Sequence, residues 1–380
     1  MRFIVLGGYG IIGRAVVRDL FESADGEIII AGRNLEEAKR YAKSFNSKRV
    51  TAAKVEISDR RNVVRLLGSC DVCVNCLQYN FNIQVMRACI EGKTNYVDLG
   101  GLFHETRKQL KLKEEFNRIG KTAIIGMGGA PGITNVLAAY GGNLLNNVKS
   151  LEITFADRDE TNYDHKFVLP YSFRTIVEEY ALKPAVFSNG KIKFAEPQSG
   201  KKEYFFGDGF GKQNGFLTLH SEIATLPEYF KGRGIKKCEF RVTFPEEFNK
   251  EINSLIELGL TSKDNVGVNG ATFPIIDYTS LIMNKFIPSK KIKIKDGEII
   301  RVDFNKGELV LDAVTKSDEH YSAGVLDTAI PCSIAAQMIA RKWITDSGVF
   351  PPEKVIKPEL FFKELKKRGI EVTKNGKRIN

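Results

Sequence analysis

Within the first 13 residues a β-branched apolar run, Arg2–Leu6, leads directly into Gly8-x-Gly10-x-x-Gly13, and a helical pattern opens near Ile12. A glycine triplet alone constrains little, but one set between a strand and a helix at the start of a chain constrains the fold strongly. Gly8 allows a tight turn, and Gly10 lets a pyrophosphate approach the backbone beside Tyr9, Ile11 and Ile12. Gly13 lets helix and strand pack closely. The helix N-terminus offers unpaired N–H groups and a positive dipole end to such a group.

The rhythm that follows supports the same architecture. Strands are expected at Arg2–Leu6, Glu27–Ala31, Val50–Ile57, Asp71–Leu77, Asn95–Leu99 and Thr122–Gly126, with helices at Ile12–Phe21, Leu35–Phe45, Arg60–Leu67, Phe81–Glu91 and Arg107–Arg118. Strict alternation with short connections predicts an α/β, Rossmann-type doubly wound parallel sheet. From about Val148 the strands lengthen and Gly-rich connectors appear, which predicts a second α+β domain. A hairpin is expected over Lys290–Phe304, turning at Asp296-Gly297. Helical patterns return at Ser333–Ile344 and Glu359–Arg368. At roughly 150 residues per domain, 380 residues make about two and a half. The expected division is 1–130 for the nucleotide domain, 131–325 for a substrate and dimerisation domain, and 326–380 for a helical segment packing back on the first.

The net charge of +11 is uneven: residues 1–130 carry +7, 131–289 carry −1 and 290–380 carry +5. Basic ends could serve nucleic acid, but no helix-turn-helix, zinc-finger or aromatic-basic motif supports that, and an anionic small molecule is the better partner. No uninterrupted apolar run has the length of a membrane span, and no membrane association is expected. The glycine spacing with Arg14 and Arg18 argues against a signal peptide. The six cysteines are therefore expected as thiols in the cytoplasm. Cys70, Cys73 and Cys76, with Cys89, have iron–sulfur-like spacing, yet on a strand Cys73 faces away from the other two. His104, His165, His220 and His320 show no metal-binding spacing. No metal is expected.

The second strand bears on the nucleotide. An NAD site usually has an acidic residue about 20 residues beyond the glycines. Here the place reads Ala31-Gly32-Arg33-Asn34. A guanidinium there pairs with a 2′-phosphate, which favours NADP, with NAD still open because Arg33 could instead stack on the adenine. Ile57 and Ser58 are expected at the adenine edge, and Cys76, Leu77, Gln78 and Tyr79 at the nicotinamide-side ribose.

Together the Gly8–Gly13 fingerprint, AGRN at 31–34, NYVDLGG at 95–101 and GMGGAPGITN at 126–135 resemble the saccharopine dehydrogenase family. Segments 174–191, 220–227 and 348–370 are similar to parts of its shorter members, of which lysine 6-dehydrogenase-like enzymes are nearest in length. The resemblance implies pyridine-nucleotide oxidoreduction at a carbon–nitrogen bond of a basic amino acid or polyamine-like substrate, and a homodimer.

The residues themselves offer candidates for that chemistry. Asp98, at a strand's carboxyl end, could hold a substrate ammonium or relay its proton, or could cap the Gly100-Gly101 turn. His220 and Glu222 share one parity on an extended segment. Their pairing could set a general base, or could be structural. Tyr171 and Arg174 could bind a substrate carboxylate. Thr134, after Pro131-Gly132, is a candidate helix N-cap. The leading expectation is oxidative deamination of L-lysine or a close relative. Reductive condensation of an amine with a carbonyl compound, as by saccharopine- or carboxynorspermidine-forming enzymes, is the first rival. A non-catalytic NADP(H)-binding sensor is the second.

Overall fold

The computed structural model describes residues 1–163, 167–268, 270–286 and 292–380; His165, Lys290 and Lys291 lie outside them. The amino-terminal part runs β1 (Arg2–Leu6), α1 (Ile11–Ser23), β2 (Glu27–Gly32), α2 (Leu35–Ser44), β3 (Val50–Lys54), α3 (Arg60–Leu67), β4 (Val72–Asn75), α4 (Asn82–Gly92), β5 (Asn95–Asp98), α5 (Phe103–Leu110), α6 (Lys113–Arg118) and β6 (Thr122–Ile124). The strands pair in parallel in the order β6-β5-β4-β1-β2-β3. Phe3–Leu6, Ile28–Ala31 and Val72–Val74 are buried, because helices cover both faces of such a sheet. The order reverses between β1 and β4, and that crevice is where an open parallel sheet binds ligands. The single helix expected over Arg107–Arg118 is two, parted where Leu112 turns into the core.

The second part runs α7 (Ile133–Leu144), β7 (Ser150–Asp159), α8 (Phe173–Ala181), β8 (Ala185–Ser188), β9 (Lys191–Phe194), β10 (Lys202–Phe205), β11 (Lys212–Leu217), α9 (Leu226–Tyr229), β12 (Lys237–Thr243), α10 (Glu246–Glu257), β13 (Asn265–Val268), β14 (Ala271–Pro274), α11 (Ile275–Met283), β15 (Asp296–Phe304) and β16 (Leu309–Lys316). After it come α12 (Ala323–Ala340), β17 (Gly348–Phe350), α13 (Pro352–Val355), α14 (Pro358–Lys367), β18 (Glu371–Lys374) and β19 (Lys377–Arg378). A mixed sheet forms in the order β10-β11-β12-β7-β15-β16-β18-β19, with β8 and β9 attached to β12.

Two expectations change here. Asp296-Gly297 does not turn a hairpin: both residues open β15 and pair with Asp159 and Arg158 of β7. The Asp296 carboxylate instead accepts the Ala323 amide at 2.9 Å, tying the strand to the start of α12. The reversal falls at Asn305–Glu308, where Asn305 and Lys306 have φ values of 53° and 62°.

The carboxyl-terminal segment also divides between the domains rather than joining only the first. β17 extends the first sheet beside β6, while β18 pairs with β16 in the second. α12 packs on α1, β4 and β5. Its Ser333 hydroxyl donates to Asp19 at 2.5 Å and its Gln337 amide to Ser23 at 2.8 Å. This helix is apolar along 18 residues, and 78% of it is buried inside the protein.

Candidate functional site

The chain turns from β1 into α1 at Gly7, whose φ is 72°, so the tight turn expected at Gly8 belongs to the residue before it. A Cβ at Gly13 would stand 2.2 Å from the Gly7 carbonyl oxygen. Only glycine lets helix and turn meet that closely. Gly10 caps α1 with no side-chain hydrogen bond, leaving the amides of the first turn available to a ligand. Ile11 is 50% exposed beside them, with Tyr9 and Ile12 half-buried. The Arg14 Nε donates to the Tyr9 carbonyl at 2.7 Å, and its guanidinium lies 4.3 Å from the centre of the Tyr41 ring.

At the end of β2 the space beside Gly32 is filled by the Tyr9 ring, which a Cβ would approach to 2.4 Å. The Tyr9 hydroxyl accepts the Asn34 amide at 3.0 Å. The Asn34 side chain caps α2 through the amides of Glu36 and Glu37; its expected place against the nucleotide is therefore a helix cap. Arg33 is exposed, and among the described residues it makes no hydrogen bond or ion pair. Free amides, a backbone that admits only glycine and an unpaired guanidinium where a carboxylate would favour NAD together fit a dinucleotide bearing a 2′-phosphate.

β3 ends at Lys54, so Ile57 and Ser58 stand in the turn beyond it, with Ser58 exposed and the Ile57 carbonyl accepting from Gln84. Past β4, Cys76 and Leu77 pack over Gly7, and Gln78 is exposed. The Tyr79 hydroxyl donates across the domain junction to Glu178 of α8 at 2.5 Å.

A second junction contact joins the Ser221 hydroxyl to the Gly101 carbonyl beyond β5. It places the neighbouring His220 and Glu222 at the same edge of the parallel sheet. The His220 Nδ1 and a Glu222 carboxylate oxygen share a hydrogen bond, the other oxygen accepts the Thr134 hydroxyl at 2.7 Å, and the His220 ring stacks on Phe240 at 3.7 Å. Thr134 is thus inside α7, whose N-cap is Gly132. It serves the glutamate rather than the helix end. Burial would push His220 down, but the Glu222 carboxylate, with Glu179 adding to it, holds it above the ordinary histidine value. Burial likewise raises Glu179 to about 7, although the Tyr171 hydroxyl bonded to it and nearby His220 pull the other way. The arrangement sets a buried histidine between two buried glutamates, with both His220 and Glu179 moved upward from their ordinary values.

Asp98 stands apart from that chain. It is 0% exposed. One oxygen accepts the amides of Gly100 and Gly126 at 2.9 and 2.7 Å, the other the Tyr96 hydroxyl at 2.8 Å and the Gln109 amide. Four donors exhaust its acceptors, so of the two readings the turn clasp is the one its geometry matches. Tyr171 turns to Glu179, and Arg174 pairs with Asp277 at 2.9 Å and approaches Glu178 at 3.9 Å. Neither is set out as a free carboxylate receptor. A hollow of about 600 Å³ among Arg2, Asp25, Glu27, Arg49 and Asp71 opens at the opposite, amino ends of the strands and takes no part.

Sequence reasoning missed Glu178 and Glu179, whose signal was a pair of acids on one amphipathic helix. It also missed Asn135. The Asn135 side chain accepts the Gly132 amide at 3.0 Å and donates to Glu353 at 2.8 Å, clasping the Pro131-Gly132 turn to the carboxyl-terminal segment.

Comparison with known proteins agrees over both domains. The model of the saccharopine dehydrogenase NADP binding domain matches residues 3–124, and that of the saccharopine dehydrogenase C-terminal domain matches 128–370. The chain is 24% identical to carboxynorspermidine synthase of Vibrio alginolyticus, covering 96% of this chain and 94% of that one. It is 22% identical to carboxyaminopropylagmatine dehydrogenase of Synechocystis sp., covering 97% and 96%. The solved apo saccharopine dehydrogenase (L-Glu forming) from Saccharomyces cerevisiae superposes with a TM-score of 0.74 at 16% identity over 100% of both chains, which shows the same fold.

Proposed function

The chain belongs to the saccharopine dehydrogenase family, as an NAD(P)-dependent oxidoreductase of amine chemistry, and from that premise we propose that it joins a primary amine to an aldehyde by reductive condensation. The amine adds to the carbonyl, water leaves, and the resulting C=N bond takes up a hydride and a proton to give a secondary amine and NADP⁺. Two relatives that align end to end are named for carboxylated polyamine-type products, which favours condensation over the deamination of lysine.

The observation that carries the reading is the buried Glu179–His220–Glu222–Thr134 network beside the Gly100–Gly101 edge. Condensation needs an amine nitrogen freed of its proton and a carbonyl oxygen that gains one before leaving as water. A histidine that one glutamate makes a stronger base than usual, near a second glutamate that titrates at about 7, serves both directions of that transfer. With its pyrophosphate held at the glycine turn, a bound NADPH would supply the hydride. The chain's own part is to orient the reactants, exclude water at the closed junction and move the proton. Homodimer formation and a cytoplasmic setting belong to the same proposal, and light scattering on the purified chain tests the first.

NADPH oxidation that requires both an aldehyde and a primary amine supports the reading. NADP reduction by lysine alone would establish deamination instead. Tight NADPH binding with no turnover across an amine and aldehyde panel would favour the sensor.

A further inference from the structure

The carboxyl-terminal segment reaches the His220–Glu222 network through one side chain. β17 lies in register with β6, Phe350 opposite Ile124, and the Phe350 carbonyl accepts the Ile125 amide at 3.0 Å. Pro351 and Pro352 then turn the chain into α13, with proline in the first turn, where no amide hydrogen is needed. α13 packs on α7 and α9, and Glu353 on it is buried. A strand of the parallel sheet thus delivers this acid to the start of α7, 218 residues back in the chain.

From Glu353 the contacts lead to the histidine. Its carboxylate accepts from the Asn135 side-chain nitrogen at 2.8 Å, and the Asn135 side-chain oxygen accepts the Gly132 amide at 3.0 Å. The preceding residue, Thr134, donates to Glu222 at 2.7 Å. Glu222 shares its other oxygen with His220 Nδ1, which leaves Nε2 as the ring nitrogen for exchange with a bound reactant. All five side chains are buried.

Thr134 has one hydroxyl proton and two acceptors for it, Glu222 at 2.7 Å and the Asn135 oxygen at 3.2 Å. Which acceptor receives it depends on where the Asn135 side chain is held. Glu353 draws the Asn135 nitrogen and so keeps the oxygen on the Gly132 amide; Thr225 stands off from that nitrogen at 3.5 Å, the long end for such a bond. With its oxygen so engaged, Asn135 leaves the Thr134 proton to Glu222. The Glu222 carboxylate is then fixed at both oxygens, and the His220 ring, stacked on Phe240, is fixed with it. A clasp that served only the Pro131-Gly132 turn would end at Asn135, whereas this one continues to the histidine. The titratable groups facing Glu353 are Lys354 on α13, Tyr229 on α9 and Cys238 on β12, and Glu179 faces His220 at the other end. Among the described residues none of these four bonds Asn135 or Thr134.

We propose that Glu353 is a positioning residue for the condensation: through Asn135 it keeps the Thr134 hydroxyl on Glu222, and so holds His220 in the orientation that exchanges protons with the reactants. The assignment rests on the amine-condensing reading above and adds the carboxyl-terminal segment to the support of that site.

Steady-state NADPH oxidation with an amine and an aldehyde, and imidazole NMR of His220, identified as the signal lost in His220→Gln, test it together. Glu353→Leu should lower kcat roughly tenfold while KM for each reactant changes by about twofold or less. Glu353→Gln, which still offers an oxygen to Asn135, should recover most of that loss. A Glu222 carboxylate without the Thr134 proton attracts the imidazolium more strongly, so Glu353→Leu should raise the His220 midpoint by roughly half a pH unit. Thr134→Val should raise it as far, and the double variant no further, because both cut one relay. Where thermal melting shows that Glu353→Leu does not fold, Glu353→Asp takes its place with the same expected directions, since it keeps the charge and withdraws the oxygen from Asn135. An unmoved His220 midpoint, full additivity with Thr134→Val, or a kcat that Glu353→Gln does not recover would overturn the role. The midpoint is read without turnover, which separates the two readings. A parent inactive with every amine and aldehyde sinks the condensation, and the midpoint then decides the relay. Full turnover with an unmoved midpoint sinks the relay alone.

Discussion

Replacing Glu353 with Gln should stabilise the protein at high pH and not at low pH. Glu353 is 3% exposed, one carboxylate oxygen accepts the Asn135 amide at 2.8 Å, and the other is buried without a partner. Burial raises its pKa from the ordinary 4.5 to about 7, with Thr225, its own amide and Asn135 offsetting part of the rise. A carboxyl whose folded pKa lies above its unfolded value binds its proton more tightly when folded. Its contribution is fully present below pH 4.5 and is lost as pH climbs through 7. The difference corresponds to about 3 kcal/mol of stability lost by pH 8.5. Glutamine mimics the protonated form: it keeps the acceptor for Asn135 and does not ionise. Urea unfolding at pH 5.5, 7 and 8.5 should show the variant gaining on the parent by roughly 2–3 kcal/mol across that range. Every other buried carboxyl titrates in both proteins and cancels. A constant offset of about 1 kcal/mol from the unpartnered amide is expected and carries no weight; a difference that does not change with pH would refute the assignment of the strain to Glu353.

Other outcomes follow from the same geometry. Arg33→Ala should weaken NADP binding by roughly 10- to 100-fold, the range of a charge-assisted hydrogen bond, with little effect on NAD or on melting; equal losses for both nucleotides would reject the 2′-phosphate role. Gly13→Ala, whose methyl meets a carbonyl at 2.2 Å, should lower stability and abolish nucleotide binding. Gly10→Ala, whose Cβ meets only the Gly7 oxygen at 3.2 Å, should lower affinity while the melting temperature holds. Glu222→Gln should lower the His220 titration midpoint followed by imidazole NMR, because the charge holding it up is gone; an unmoved midpoint would remove Glu222 from the proton path. Dialysis against a chelator should leave amine-dependent NADPH oxidation unchanged.

The first domain was legible because its strands are buried on both faces and written as unbroken β-branched runs, such as Phe3–Leu6 and Glu27–Gly32. Local signals failed where a distant partner claimed the residue. Asp296-Gly297 has the composition of a tight turn, yet the aspartate is taken by an amide 27 residues later and the glycine by strand pairing. Arg107–Arg118 has a continuous helical pattern, but the buried place for Leu112 breaks it. The charge asymmetry likewise misled in part. The basic carboxyl-terminal segment contributes α12 and β17 to the nucleotide domain, while β18 and β19, with Lys374, Lys377 and Arg378, edge the second sheet.

The site was less legible than the fold for a reason that the carboxylates make plain. Asp98 and Asp327 are both buried at 2% exposure or less, and each sits in an apolar stretch, Asp327 as the sole charge of its 18-residue helix. From composition they are equivalent. Asp98 receives four hydrogen bonds from Tyr96, Gly100, Gln109 and Gly126, all within 28 residues, so its charge is answered inside one domain. Among the described residues Asp327 meets carboxyls from 29 and 170 residues away and a long contact from Thr328, and burial pushes it well above the ordinary carboxylate range. A buried carboxylate costs little when donors surround it and a great deal when they do not. Counting donors therefore separates two carboxyls that composition makes equivalent, and that count exists only once β7, β15 and α12 have been brought together.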